Sequence, residues 1–179
     1  DTTSTAIVGP DLGIYPEEVK GIIFGKVDAQ SWAAYAQGTY RFSDAWSLSG
    51  GLRYSNDQKD VTHSTIGDPF ELLLPTYPER KLSRSDSETS PSVSINWTPT
   101  ANLLGYLSYS HGFKAGGFNV FSITPTDDAR YDPEKVDSYE LGLKSTLLDG
   151  AARLNVALFS LDYKDLQVNQ LVLVGGVPR

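Results

Sequence analysis

The sequence predicts an all-β fold, an antiparallel transmembrane β-barrel segment of about six strands from a larger barrel. Two observations carry this reading. Apolar and polar residues alternate with period two between aromatic ends, and the connections between alternating stretches are by turns short and long.

The first strand is expected over 30–42, with Trp32, Ala34, Ala36, Gly38, Tyr40 and Phe42 on one side and Tyr35, Gln37, Thr39 and Arg41 on the other. The second, over 45–56, sets Trp46, Leu48, Gly50, Leu52 and Tyr54 against Ser47, Ser49, Gly51, Arg53 and Ser55. The third, over 90–98, alternates Pro91, Val93, Ile95 and Trp97 with Ser92, Ser94, Asn96 and Thr98. In the fourth, over 102–114, Leu103, Gly105, Leu107 and Tyr109 form one face, although Leu104 and Tyr106 blur it. The fifth, over 135–148, puts Tyr139, Leu141, Leu143 and Leu147 opposite Ser138, Glu140, Gly142, Lys144 and Thr146. The sixth, over 151–167, begins with Leu154, Val156 and Leu158 on the apolar side. Phe159, Leu161 and Tyr163 then change parity, and a bulge near Phe159 would produce that shift.

From Trp46 to Tyr54 the strand rises about 27 Å, or roughly 20 Å along the membrane normal at the usual tilt, close to the ~25 Å apolar band of outer-membrane barrels. Tight turns fall at 43–45, 98–101 and 148–150, built of the residues that turns require. Long polar loops are expected over 57–89 and 115–134. Short turns on one side and long loops on the other are the periplasmic and external ends of such barrels. A soluble β-sandwich also has alternating strands, but its strands average ~5–6 residues and need no aromatic ends.

Composition sets further bounds. The chain has 179 residues and a formal net charge of −7, and no apolar run approaches the ~18 residues of a membrane-spanning helix. That excludes a helical membrane protein and leaves a barrel open, because barrel strands alternate lipid-facing and lumen-facing side chains. The acidic balance excludes nucleic acid as a partner, since phosphate binding needs clustered Lys and Arg. The lack of cysteine fits passage through an oxidising periplasm. The lack of methionine and of a basic-then-apolar leader reads as a segment of a longer protein.

Arg41, Arg53, Glu140, Lys144 and Arg153 all fall on the wet side of their strands, where barrel charges meet lumen water or a plug. The histidines are His63, expected in the first long loop, and His111, expected near the outer rim. Neither has the spacing of a metal site or of a nucleophile partner. Asp127, Asp128 and Asp132 cluster in the second loop without the Gly and Glu of a calcium loop. No catalytic, cofactor or metal site is expected.

Residues 108–119 read SYSHGFKAGGFN, 131–145 read YDPEKVDSYELGLKS, 159–168 read FSLDYKDLQV and 47–60 read SLSGGLRYSNDQKD. In their chain order and spacing they resemble the barrel of TonB-dependent outer-membrane receptors, over about residues 28–168. The resemblance implies a barrel of about 22 strands occluded by a plug domain, with the plug and the closing strands outside this sequence. It also implies energised uptake of a scarce nutrient, usually a ferric siderophore. The partners implied are outer-membrane lipid, the receptor's own plug, the TonB complex and the nutrient itself.

Long loops on a rigid scaffold are where binding resides. Candidate ligand contacts are therefore Phe113, Lys114, Gly116, Gly117, Phe118 and Asn119, where a strand leaves the membrane, and His63 in the first loop. The rival readings are an outer-membrane barrel enzyme of lipase or protease type and a soluble carbohydrate-binding β-sandwich.

Overall fold

The computed structural model describes residues 2–8, 19–67, 76–119, 130–168, 173–174 and 177–178. Its main body is one antiparallel sheet of seven strands. These are β1 (Thr2–Val8), β2 (Val19–Arg41), β3 (Trp46–Ile66), β4 (Tyr77–Thr100), β5 (Leu103–Lys114), β8 (Glu134–Leu147) and β9 (Ala152–Lys164), hydrogen-bonded in that order. Two further antiparallel pairs form small sheets of their own: β6 (Gly117–Phe118) with β7 (Arg130–Tyr131), and β10 (Leu173–Val174) with β11 (Val177–Pro178). Among the described residues no helix is long and apolar enough to cross a membrane.

The register converts the alternation of each strand into rows that run across the sheet. One row reads Trp46, Trp97, Gly105, Leu143, Val156, and the next reads Leu48, Ile95, Leu107, Leu141, Leu158. Directly paired residues share a face, so these rows form a continuous apolar surface on which Leu52 and Leu141 remain 54% and 57% exposed. Aromatic contacts bound it at both ends. Phe42 stacks on Trp46, and Trp46 lies 6.2 Å from Trp97, beside the short turns. At the other end Trp32 lies 5.4 Å from Tyr54, and Tyr109 lies 5.1 Å from Tyr139. Among the described residues, no charged side chain occupies the apolar face between these ends.

The opposite face carries Thr39, Ser49, Ser94, Asn96, Ser108 and Ser110, with a hydrogen bond of 2.9 Å between Thr39 and Ser49. It also takes the two residues that blurred β5. Tyr106 lies across Gly142, where any Cβ would collide with its ring, hydrogen-bonds Glu140, and receives Lys144 Nζ 5.3 Å from its ring centre.

The structure corrects the sequence reading in three places. First, 57–66 and 77–89 are ladder, not loop: β2, β3 and β4 have 23, 21 and 24 residues. At ~3.4 Å per residue they reach about 70–80 Å, and a band of ~25 Å holds less than half of that. Second, a further strand, β1, pairs Thr2–Val8 with the start of β2. Third, β9 has no bulge: the pairing of β8 with β9 is continuous from Lys135↔Lys164 to Leu147↔Ala152. Phe159, Leu161 and Tyr163 therefore lie on the polar face, and β9 stops at Lys164.

Away from the short turns, the β2–β3–β4 extension builds a small core of its own. Ile23, Val61 and Tyr77 are buried there, close to Thr65, which is paired with both Ile23 and Tyr77. Phe118 is the other buried apolar residue among those described.

Candidate functional site

β5 leaves the ladder at Lys114 and turns at once through Ala115 and Gly116 into β6. The segment folds back over the polar face of β3 and β4, since the residues that hold it, Lys59 and Arg84, both lie on that face by register. Lys59 Nζ donates to the Gly116 carbonyl at 2.6 Å. A Cβ at Gly116 would stand 2.6 Å from the Arg84 guanidinium, and one at Gly117 would overlap the Tyr131 ring, so only glycine allows this approach. On the other flank, the Gln167 side chain donates to the carbonyls of Ala115 at 3.3 Å and Asp132 at 2.8 Å. The segment is thus held from both sides.

Arg84 is the centre of this arrangement. Its Nε donates to Asp86 at 2.7 Å and its Nη2 to Asp132 at 3.2 Å. Arg84 and Asp86 are largely buried, so the pair is screened far less than a surface one. The hydrogen bond to Asp86 raises the guanidinium pKa above its ordinary value, against the opposing effect of burial, with Asp132 adding to the rise.

A second polar cluster sits one step beyond the Tyr109–Tyr139 pair. His111 Nδ1 and the Tyr109 hydroxyl both lie 2.8 Å from Asp137 Oδ1, and Lys164 lies 3.5 Å from Asp137 Oδ2. The hydrogen bond from His111, then that from Tyr109, lowers the Asp137 carboxyl to about 2. Glu88 pairs with Lys135, whose hydrogen bond holds its carboxyl below the ordinary value. Among the described residues no group of three or more His, Cys, Asp or Glu is arranged to hold a metal ion.

The residues singled out from the sequence are dispersed. Gly116, Gly117 and Phe118 are buried in the folded-back segment, Phe113 is half-buried, and Lys114 and Asn119 are exposed. His63 lies in strand β3 rather than a loop; it is 7% exposed and within 3.1–3.2 Å of the Tyr77 hydroxyl. Arg41, Arg53, Glu140, Lys144 and Arg153 share the polar face, as their parity requires. Asp127 and Asp128 lie outside the described residues, while Asp132 is taken by Arg84. Sequence reasoning missed Lys59, Arg84 and Gln167, because only the three-dimensional return of the Gly-Gly segment brings them to it.

Comparison with known proteins places this geometry. Residues 2–178 match the family described as TonB dependent receptor-like, beta-barrel. The pesticin receptor of Yersinia enterocolitica is 26% identical over 146 residues, covering 80% of this chain and 20% of that protein. The ferric-pyoverdine BN7/BN8 receptor of Pseudomonas putida is 26% identical over 145 residues, covering 80% and 16%. The crystal structure of the ferric yersiniabactin uptake receptor FyuA from Yersinia pestis superposes with a TM-score of 0.72 at 22% identity, over 84% of this chain and 24% of that one. The chain thus spans about a fifth of the length of the curated relatives it matches. With its aromatic-bounded apolar face, long antiparallel strands and polar inner face, it belongs to the TonB-dependent receptor β-barrel family.

Proposed function

We propose that this chain forms part of the barrel wall of a Gram-negative outer-membrane receptor that takes up a scarce nutrient with TonB-supplied energy. The observation that carries this reading is the charge-free apolar face between two aromatic rows, backed by a hydroxyl-lined face. A soluble sheet gains nothing from leaving Leu52, Leu141 and Leu158 uncovered, whereas a bilayer covers them. Lipid then contacts the apolar face, and the plug domain and lumen water contact the polar one.

A ferric siderophore is the favoured cargo. One relative is a receptor for ferric pyoverdine and a solved neighbour is an uptake receptor for ferric yersiniabactin. The strand extensions and the folded-back 115–118 segment stand on the external side, opposite the short turns, and would meet cargo first. Transport is favoured over catalysis because the matched family is one of receptors.

The experiment uses the full-length receptor in a strain without other iron-uptake routes, and follows uptake of radiolabelled ferric siderophore with and without TonB. Uptake should need both. Removing 67–84 as a loop would cut into β4, because 77–84 pairs with β3, so the deletion that spares the ladder is 68–75. That deletion should lower uptake at limiting cargo while the barrel still assembles. Uptake that is independent of TonB, or of the receptor gene, would remove the transport reading.

A further inference from the structure

The apolar face carries a concave place near the short turns. In a row near the short turns, Gly105 stands between Trp97 and Leu143, with Trp46 and Val156 at the row's ends. A Cβ on Gly105 would lie 3.3 Å from Trp97 Cε3 and 3.8 Å from Leu143 Cδ1, so the Trp97 ring leans over the glycine floor. The neighbouring row, Ile95, Leu107, Leu141 and Leu158, continues the lining into a trough of about 490 Å³.

We propose that this trough seats one acyl chain of a phospholipid in the periplasmic leaflet, as a defined lipid site on the barrel wall. The assignment rests on the membrane reading given above. The trough is continuous with the surface that meets the bilayer, and it lies on the short-turn side, which is periplasmic. Its outer-face lining is hydrocarbon and indole, so an aliphatic chain is the chemistry that fills it. Trp46 and Trp97 close its β3–β4 end, where indole N–H groups can meet headgroup oxygens while the rings cover the chain. A second copy of this chain fits poorly. A two-fold contact would set trough against trough and leave a void between them, losing the dispersion contacts that a close interface needs.

The test is native mass spectrometry of the full-length receptor released from nanodiscs of palmitoyl-oleoyl phosphatidylethanolamine. Wild type should keep one phospholipid per barrel. Gly105→Leu fills the floor and should cut retention on the order of tenfold, a difference of about 1.4 kcal/mol. Gly38→Leu, at an apolar-face glycine with nothing within 4 Å of an added Cβ, should retain lipid like wild type. Val156→Trp blocks the far end and serves if Gly105→Leu fails to assemble. Equal retention in wild type and a correctly assembled trough variant would overturn the assignment, as would equal loss in Gly38→Leu. So would a wild-type dimer that Gly105→Leu dissolves, since a second copy would then occupy the trough. Membrane fractionation separates the two levels: a wild-type receptor found outside the outer membrane overturns the membrane reading and this site with it, whereas unchanged retention in correctly placed variants overturns this site alone.

Discussion

Replacing Leu52 by arginine tests the facing of the whole sheet. Leu52 lies on the apolar face, paired with Ala36 and Pro91 and 54% exposed. It stands two residues inward from Tyr54 on β3. That is about 5 Å along the membrane normal, against a spacing of roughly 20 Å between Trp46 and Tyr54. Along β3, Leu52 is therefore about halfway from Tyr54 to Gly50, the midpoint of the Trp46–Tyr54 span. Arginine costs ~2–4 kcal/mol at the midplane and ~0–1 at the interface, so Leu52→Arg should cost about 2 kcal/mol, near thirtyfold in the folding equilibrium. Ser49→Arg, one residue away on the polar face, loses hydrogen bonds with Thr39 at 2.9 Å and Asn96 at 3.5 Å, and should cost about 1 kcal/mol or less. Gly50→Arg should exceed both. The assay is guanidinium-dependent folding of the full-length receptor into vesicles, followed by tryptophan fluorescence and heat-modifiable migration. Equal costs at positions 49 and 52, or the reverse order, would refute the assignment of faces.

Three further outcomes are expected. Arg84→Ala removes the charge-assisted bonds to Asp86 and Asp132 and leaves Asp86 buried without that partner, so amide exchange at 115–118 should rise by the equivalent of ~1.5–3 kcal/mol while β3 and β4 below Tyr54 stay protected. Tyr106→Phe removes the donor to Glu140 on the water-facing side and should lower stability in the same folding assay by less than Leu52→Arg does. Asp137 titrates below its ordinary value of 3.8, at about 2, so its stabilising effect is complete above about pH 4 and vanishes as pH falls through 2. Exchange protection around 111–114 should fall across that window in wild type and show no such step in Asp137→Asn.

Within the membrane band the sequence was legible, because there the solvent differs on the two faces and every lipid-facing position must be apolar. The apolar sets of β3, β4, β5 and β8 were assigned from parity alone, and the register aligns them in single rows. Beyond the aromatic rows both faces meet water, and the constraint lapses. Residues such as Asp57, Gln58, Lys59 and Asp60 then carry no strand signature, yet they extend the ladder because each added pair continues hydrogen bonds already aligned. The sequence marks 113–119 only as the point where a strand leaves the membrane, and the fold-back of 115–118 is not legible in it. Nor are its holders, because Lys59, Arg84 and Gln167 are distant in sequence and ordinary in type.

Strand β9 shows the same boundary from the other side, and it yields a sharp prediction. Its apolar residues change parity between Leu158 and Phe159, which suggested a bulge. A bulge would turn Phe159, Leu161 and Tyr163 outward at the expense of ladder hydrogen bonds, and it would be favoured only if unbulged pairing put charges into lipid. It does not. Ser160 pairs with Tyr139, so Asp162 and Lys164, though on the outward parity, lie beyond the aromatic row, where Lys164 reaches Asp137 at 3.5 Å. With no charge buried in hydrocarbon there is no force to shift the register, and the aromatic and aliphatic side chains of Phe159 and Leu161 stay on the water-facing side. Two adjacent substitutions should therefore diverge. Leu158→Arg, in the row of Leu141 and Leu107, should cost about 2 kcal/mol or more, while Phe159→Arg, across from Glu140, should cost about 1 kcal/mol or less. If Phe159→Arg proved the more costly in the vesicle-folding assay, β9 would carry the bulge after all, and its outer half would face lipid with Phe159, Leu161 and Tyr163.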